Sequence, residues 1–225
     1  MAILKLTPTD TKSVMTGFSI IDRGRQIIIT GIEGAGRRSF ASIYFPTAEL
    51  IEKPVRLSKK VKEVVVIAIL DSRHLQNQAE ADALRQIAAA VKRWKSAKVR
   101  ILLVLGQTDL VCNRRQNRYW VEEVMREYKP YLSKLRIKVR TIVAHSNLAI
   151  QRLREIENGE VDVDDVDDLD YLLSKAGRRL PKVVSSDSVK TYISSHRKAL
   201  QMLTGEYYVN KFLKLSAKDV TQKEK

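Results

Sequence analysis

Hydrophobic positions in this chain fall into short unbroken runs separated by helical stripes. Residues 26–30 (QIIIT), 63–70 (EVVVIAIL) and 100–105 (RILLVL) are apolar with little or no alternation. That is the pattern of strands buried on both faces of a parallel sheet. Residues 137–143 predict a further strand. Between these runs, Ala83, Leu84, Ile87, Ala88, Val91 and Trp94 recur at helical spacing and predict a helix over 80–95. A second helix is predicted over 113–128, with Tyr119, Trp120, Val124 and Tyr128 on its stripe and Pro130 as its stop. A third is predicted over about 148–157, capped by Gly159. Residues 38–45 predict a short helix ending before Pro46. Residues 46–62 read as a basic loop with one edge strand near 55–57. Strands alternating with helices of this length imply parallel βαβ units, so the expected fold is α/β, a doubly wound, mostly parallel sheet flanked by helices.

The pattern changes after Gly159. Six aspartates, Asp162, Asp164, Asp165, Asp167, Asp168 and Asp170, fall within nine residues. A last helix is expected from a cap at Ser186 or Asp187 to about Leu203, followed by an apolar segment from Tyr207 to Leu215. The expected organisation is an extended arm (1–24), a central domain (25–158), an acidic segment with a helical extension (159–217) and a disordered tail (218–225).

Composition narrows the function classes. Hydrophobic residues make up 44% of the 225 residues, ordinary for a globular protein. No apolar run approaches the roughly 18 residues of a membrane helix, and the first residues lack the pattern of a secretory leader, so no membrane partner is expected. The lone cysteine, Cys112, excludes an internal disulfide and a cysteine metal cluster, which fits the nucleus or cytosol. The net charge is +15 and uneven: residues 1–154 hold 29 Lys/Arg against 13 Asp/Glu. A field of this sign favours anionic partners, nucleic acid or acidic protein surfaces.

The glycine-rich segment 31–39 (GIEGAGRRS) follows a buried strand and opens a helix. That is the context of a P-loop, whose backbone N–H groups cradle phosphates, whose Lys reaches the β/γ-phosphates and whose Ser/Thr holds Mg²⁺. Gly31, Gly34 and Gly36 supply the turn, but Arg37 stands at the Lys position, Arg38 at the Ser/Thr position, and Ser39 comes one residue late. A guanidinium does not replace the compact ammonium, and Arg38 cannot bind Mg²⁺. The simpler reading is a tight strand-to-helix turn. Residues 105–110 (LGQTDL) put Asp109 where GTPases read guanine with N/T-K-x-D, with Gly106 and Gln107 replacing Asn and Lys. Residues 144–146 (AHS) fall at the position of the base-contacting turn, although His145 reads equally well as a solvated turn residue. No Asp-x-x-Gly occurs anywhere in the chain. Phosphoryl transfer depends on positioning and metal charge, so little catalysis is expected. His74, His145 and His196 are far apart, and the aspartate cluster lacks the Gly and Glu of an EF-hand, so no metal or cofactor is expected.

These features predict a small-GTPase-like (P-loop-type) sheet with a degenerate nucleotide site. The segment after the second buried strand carries Ser72, Arg73, Leu75, Gln76, Asn77, Glu80, Leu84 and Arg85, ahead of LGQTDL. In this run the chain resembles the centromere protein M family, small-GTPase-like pseudo-enzymes of the inner kinetochore, over roughly residues 26–150. The resemblance implies a catalytically inactive scaffold at the centromere in the nucleus, no nucleotide binding, and assembly with centromere proteins H, I and K, the contact with I being the main one. The basic N-terminal two-thirds would suit a site close to centromeric DNA. Two other readings stay open. One is a divergent P-loop NTPase binding GTP or ATP through residues 31–39 and Asp109. The other is a basic nucleic-acid-binding module.

Overall fold

The computed structural model describes residues 15–22, 24–58, 61–71, 78–94, 97–106, 114–158 and 186–221. Six strands form one sheet: β1 (Thr16–Asp22), β2 (Arg25–Gly31), β3 (Lys53–Pro54), β4 (Glu63–Asp71), β5 (Lys98–Gly106) and β6 (Val139–Ala144). Six helices are described: α1 (Arg37–Tyr44), α2 (Gln78–Arg93), α3 (Arg114–Leu135), α4 (Asn147–Asn158), α5 (Ser186–Leu203) and α6 (Glu206–Thr221). The strand order is β3-β1-β2-β4-β5-β6. β2, β4, β5 and β6 run parallel, whereas β1 pairs antiparallel with both β2 and β3. The fold is therefore α/β with a mixed sheet, not a wholly parallel one.

β4 is buried at every one of its nine positions, and β2 at all but Gly31. Their side chains alternate between two cores. Ile28, Val64, Val66, Ala68 and Leu70 face Leu84, Ile87, Val124 and Tyr128 of α2 and α3. Ile27, Ile29, Val65, Ile67 and Ile69 share the other core with Phe40 of α1 and with Val209 and Phe212 of α6. Unbroken apolar runs thus mark strands covered on both faces.

Several expectations shift. Residues 16–22, expected in an extended arm, are β1, and Phe18 lies in the core opposite Ile29. The edge strand forms at Lys53–Pro54, just ahead of the predicted 55–57. Pro130 does not stop α3, which runs to Leu135. Proline removes one backbone donor, but Tyr131 and Leu132, directly after it, are buried and hold the last turns against the core. The segment beyond 159 is no mere appendage: α6 completes the second core and runs to Thr221, past the expected start of the tail. Arg25 donates from Nη1 to the Leu213 carbonyl at 2.7 Å and pairs with Asp22 at the same distance, tying α6 to the β1–β2 hairpin. The aspartate cluster and Gly159 lie outside the described residues.

If α6 is part of the core, Phe212→Ala destabilises the protein by about 3 kcal/mol, the range for a buried phenylalanine. Urea unfolding reads this, and a midpoint unchanged from wild type would contradict it.

Candidate functional site

The glycine segment leaves β2 at the carboxyl edge of the parallel strands. Gly31 has φ of 132°, and a Cβ there would lie 2.0 Å from the Ile69 carbonyl oxygen, so only glycine fits. Ile32 N–H then donates to that same carbonyl at 3.1 Å, holding the segment against β4. Gly36, at φ 83° and ψ 23°, forms the N-cap of α1 and makes no side-chain cap bond. The Asn147 side chain of α4 covers this point, its Nδ2 donating to the Gly36 carbonyl at 3.1 Å. Two predicted loop features, the tight strand-to-helix turn and the helix opening immediately behind it, are therefore present.

The charge at this point is resolved internally. Arg37 and Arg38 start α1 with no acidic residue in the first turn, an unfavourable arrangement at the positive end of a helix dipole. Glu52, from the connection to β3, meets Arg37 Nη1 at 2.7 Å. The Arg37 side chain is only 11% exposed, so its guanidinium is turned to this carboxylate. Arg38 and Ser39 are exposed on the first turn. The backbone of the segment folds down as well. A Cβ at Gly106, at the end of β5, would lie 2.5 Å from the Ala35 carbonyl oxygen. The fold therefore requires glycine at position 106, since the Ala35 backbone occupies the space of any side chain there.

Beyond β6, the AHS turn is closed. His145 is 1% exposed, which corrects the solvated reading. Its ring packs on Phe40 and Tyr44 of α1, with centroids 4.8 and 5.6 Å away. Its Nε2 and Tyr44 Oη share a 2.7 Å hydrogen bond, while its buried Nδ1 makes none. Burial holds the imidazole at a pKa of about 3 and pushes the Tyr44 phenol well above its usual range, so both stay neutral. Ser146 N–H donates to the Thr204 carbonyl, and Gly205 lies against the Ala144 carbonyl, so the α5–α6 turn covers this loop. Ser146 Oγ accepts from Ala149 N–H and caps α4.

Of the predicted site residues, Gly31, Gly34, Gly36, Arg37, Arg38 and Ser39 gather in one loop and helix start. Asp109, Ser72, Arg73, Leu75, Gln76 and Asn77 lie outside the described residues. Glu80 is not a surface position: it is buried in the first turn of α2 and accepts a hydrogen bond from Tyr128 Oη of α3. The sequence reading missed three groups. Asp71 ends β4 opposite Gly106, buried beside the glycine segment; its signal was the carboxylate closing an apolar strand. Glu52 and Asn147 reach the loop from 15 and 111 positions along the chain from Arg37 and Gly36, and no local pattern marks them. Among the described residues, no group of three or more His, Cys, Asp or Glu side chains is placed to hold a metal, and no helix is long and apolar enough to cross a membrane.

Comparison with protein-family models, with curated proteins and with solved structures finds no match to this chain.

The buried imidazole has a pH consequence. Above pH 6.5, its ordinary pKa, His145 is neutral in both folded and unfolded chains. Below that value the unfolded chain gains a proton that the folded one refuses until about pH 3, so stability falls with pH by about 1.4 kcal/mol per unit. Urea midpoints at about pH 7.5 and about pH 5 should differ in wild type by much more than in His145→Gln. Equal differences in the two proteins would show that His145 is not the group responsible.

Proposed function

We propose that this chain is a catalytically inactive, small-GTPase-like scaffold subunit of the inner kinetochore, working through protein contacts rather than nucleotide turnover. The observation that carries the inactive half is the Arg37–Glu52 bridge. The only cation at the P-loop lysine position is turned to a carboxylate of the chain itself, where a nucleotide would need it on phosphate. Arg38 cannot supply the Mg²⁺ hydroxyl, and no Asp-x-x-Gly exists to sense a γ-phosphate.

The strand order adds a second support. β2 is flanked by β4 on one side and by the antiparallel β1 on the other. Among the described residues, no parallel strand ends beside the loop on the β1 side to deliver a carboxylate or a sensing glycine there. The kinetochore half of the proposal rests on the resemblance over residues 72–85. It implies centromere proteins I, H and K as partners, with centromeric DNA close by and the nucleus as the compartment.

A divergent NTPase is the second reading, and the buried Asp71 beside the glycine segment favours it. Such an aspartate at the end of a P-loop protein's neighbouring strand holds Mg²⁺. Titration calorimetry with Mg²⁺-GTP and Mg²⁺-ATP at millimolar concentration separates the two readings. The scaffold reading expects no binding. Tight, Mg²⁺-dependent binding that Asp71→Asn abolishes would replace it with the NTPase.

Glu52→Ala frees Arg37 without restoring the Mg²⁺ ligand. It is expected to cost under about 1 kcal/mol, as for a half-exposed ion pair, and to leave nucleotide binding undetectable. Co-expression of the full chain with centromere proteins H, I and K, followed by size-exclusion chromatography, tests the partner assignment. Elution apart from the other three would remove it.

A further inference from the structure

The amino edge of the parallel strands, opposite the glycine segment, collects positive charge from three successive connections. Lys62 leads into β4, and its carbonyl accepts from Lys98 N–H at 2.8 Å, so the starts of β4 and β5 lie side by side. Arg93 ends α2 just before β5. Lys134 lies in the last turn of α3, and Arg136 and Lys138 lead from there into β6. Ile101 pairs with Val139, so this third connection borders β5 as well. All six side chains are exposed.

Among the described residues, the carboxylates nearest this edge are Glu63, Asp22 and Glu127. Glu63 is buried, with an oxygen 3.7 Å from Arg100 Nε. Asp22, on the neighbouring hairpin, is paired with Arg25. Glu127 is exposed two turns back along α3. Ion pairs elsewhere on the described surface join Arg85 to Asp82, Arg152 to Glu155, Arg154 to Glu206 and Arg197 to Glu157.

Two further properties select the kind of anion. The exposed large hydrophobics among the described residues are Ile21, Ile51, Leu148 and Tyr208, and none lies on these three connections. A protein interface is built around an apolar or aromatic centre, whereas a nucleic-acid interface is polar and strongly positive. Trp94, the one aromatic residue at the turn before β5, is buried at 7% exposure and offers no platform for an unstacked base. Neighbouring strands are about 4.8 Å apart and the helix layer lies about 10 Å off the sheet, so the cations are spread over a surface on the scale of a duplex groove.

We propose that the amino edge formed by Lys62, Arg93, Lys98, Lys134, Arg136 and Lys138 binds the sugar-phosphate backbone of double-stranded nucleic acid without reading its sequence. This stands on the charge layout alone and survives or fails independently of the scaffold reading. Charge-assisted contacts to phosphate release counterions, so the binding is steeply salt-dependent.

The test is fluorescence anisotropy of the full chain with a labelled DNA duplex of about 20 base pairs, from roughly 50 to 200 mM salt. Wild type is expected to bind, with affinity falling steeply across that range. Lys62→Glu/Lys134→Glu/Lys138→Glu is expected to weaken binding at least tenfold and to lower the salt slope by about 3. Arg38→Glu/Lys53→Glu/Lys198→Glu carries the same charge change at exposed positions away from this edge and is expected to lose less than threefold. The milder Lys62→Gln/Lys138→Gln, with circular dichroism and a thermal melt matching wild type, separates lost contacts from lost folding; it is expected to lower the slope by about 2. Equal losses in the edge and control variants would reduce the effect to net charge and overturn the assignment. So would salt-insensitive binding, a preference for single strands over duplex, or capture of polyglutamate but not DNA.

Discussion

β4 has no exposed position along its nine residues, and this burial governs the arrangement around it. A strand of that length spans about 30 Å and must be covered on both faces. On one face α2 and α3, of 16 and 22 residues, are long enough to do so. On the other, α1 has only eight residues and covers about 12 Å. The remaining apolar surface of β2 and β4 is closed by Val209 and Phe212 of α6. The C-terminal helices are thereby drawn into the core, and the Arg25 bond to the Leu213 carbonyl fixes where α6 ends its crossing. The short α1 also leaves the β6–α4 turn accessible to the α5–α6 turn, which is why Thr204 and Gly205 close over Ser146 and Ala144.

The elements legible in the sequence are those specified by local pattern. The runs at 26–30, 63–70 and 100–105 could only be doubly buried strands, and the stripe from Ala83 to Trp94 could only be a helix with one apolar face. What escaped depends on distant partners. β1 reads GFSIID, a weak alternation that becomes a strand because Phe18 finds Ile29 across the hairpin. Pro130 carries a local stop signal that burial of Tyr131 and Leu132 outweighs. The glycine spacing was legible because a positive φ and a close approach to Ile69 demand glycine whatever lies elsewhere. The occupants of the site were not, since Glu52, Asn147 and the aromatic wall around His145 arrive from other parts of the fold.

The two edges of the sheet treat charge in opposite ways. At the carboxyl edge Arg37 is met by Glu52, the Gly36 carbonyl by Asn147, and the β6–α4 turn by the α5–α6 turn. At the amino edge Glu63 is buried and Asp22 is paired with Arg25, while Lys62, Lys98, Lys134 and Lys138 are exposed. Self-repulsion among those lysines is tolerable at the ends of strands and helices, where long side chains spread into solvent. It yields no stability to the fold.

The Glu52 bridge to Arg37 also bears on whether phosphate could bind at the start of α1. A phosphate competing for Arg37 must displace a carboxylate already held at 2.7 Å and return it to water. The intramolecular partner is present at high effective concentration and costs no translational entropy. A nucleotide overcomes such a competitor when a metal ion shares its charge, and on the P-loop reading Arg38 stands where the metal's hydroxyl ligand would be. On the proposed reading, arginine at position 38 would weaken nucleotide binding, and the Arg37–Glu52 bridge would compete with it. On the reading proposed above, both features act in the same direction, against phosphate binding at the start of α1.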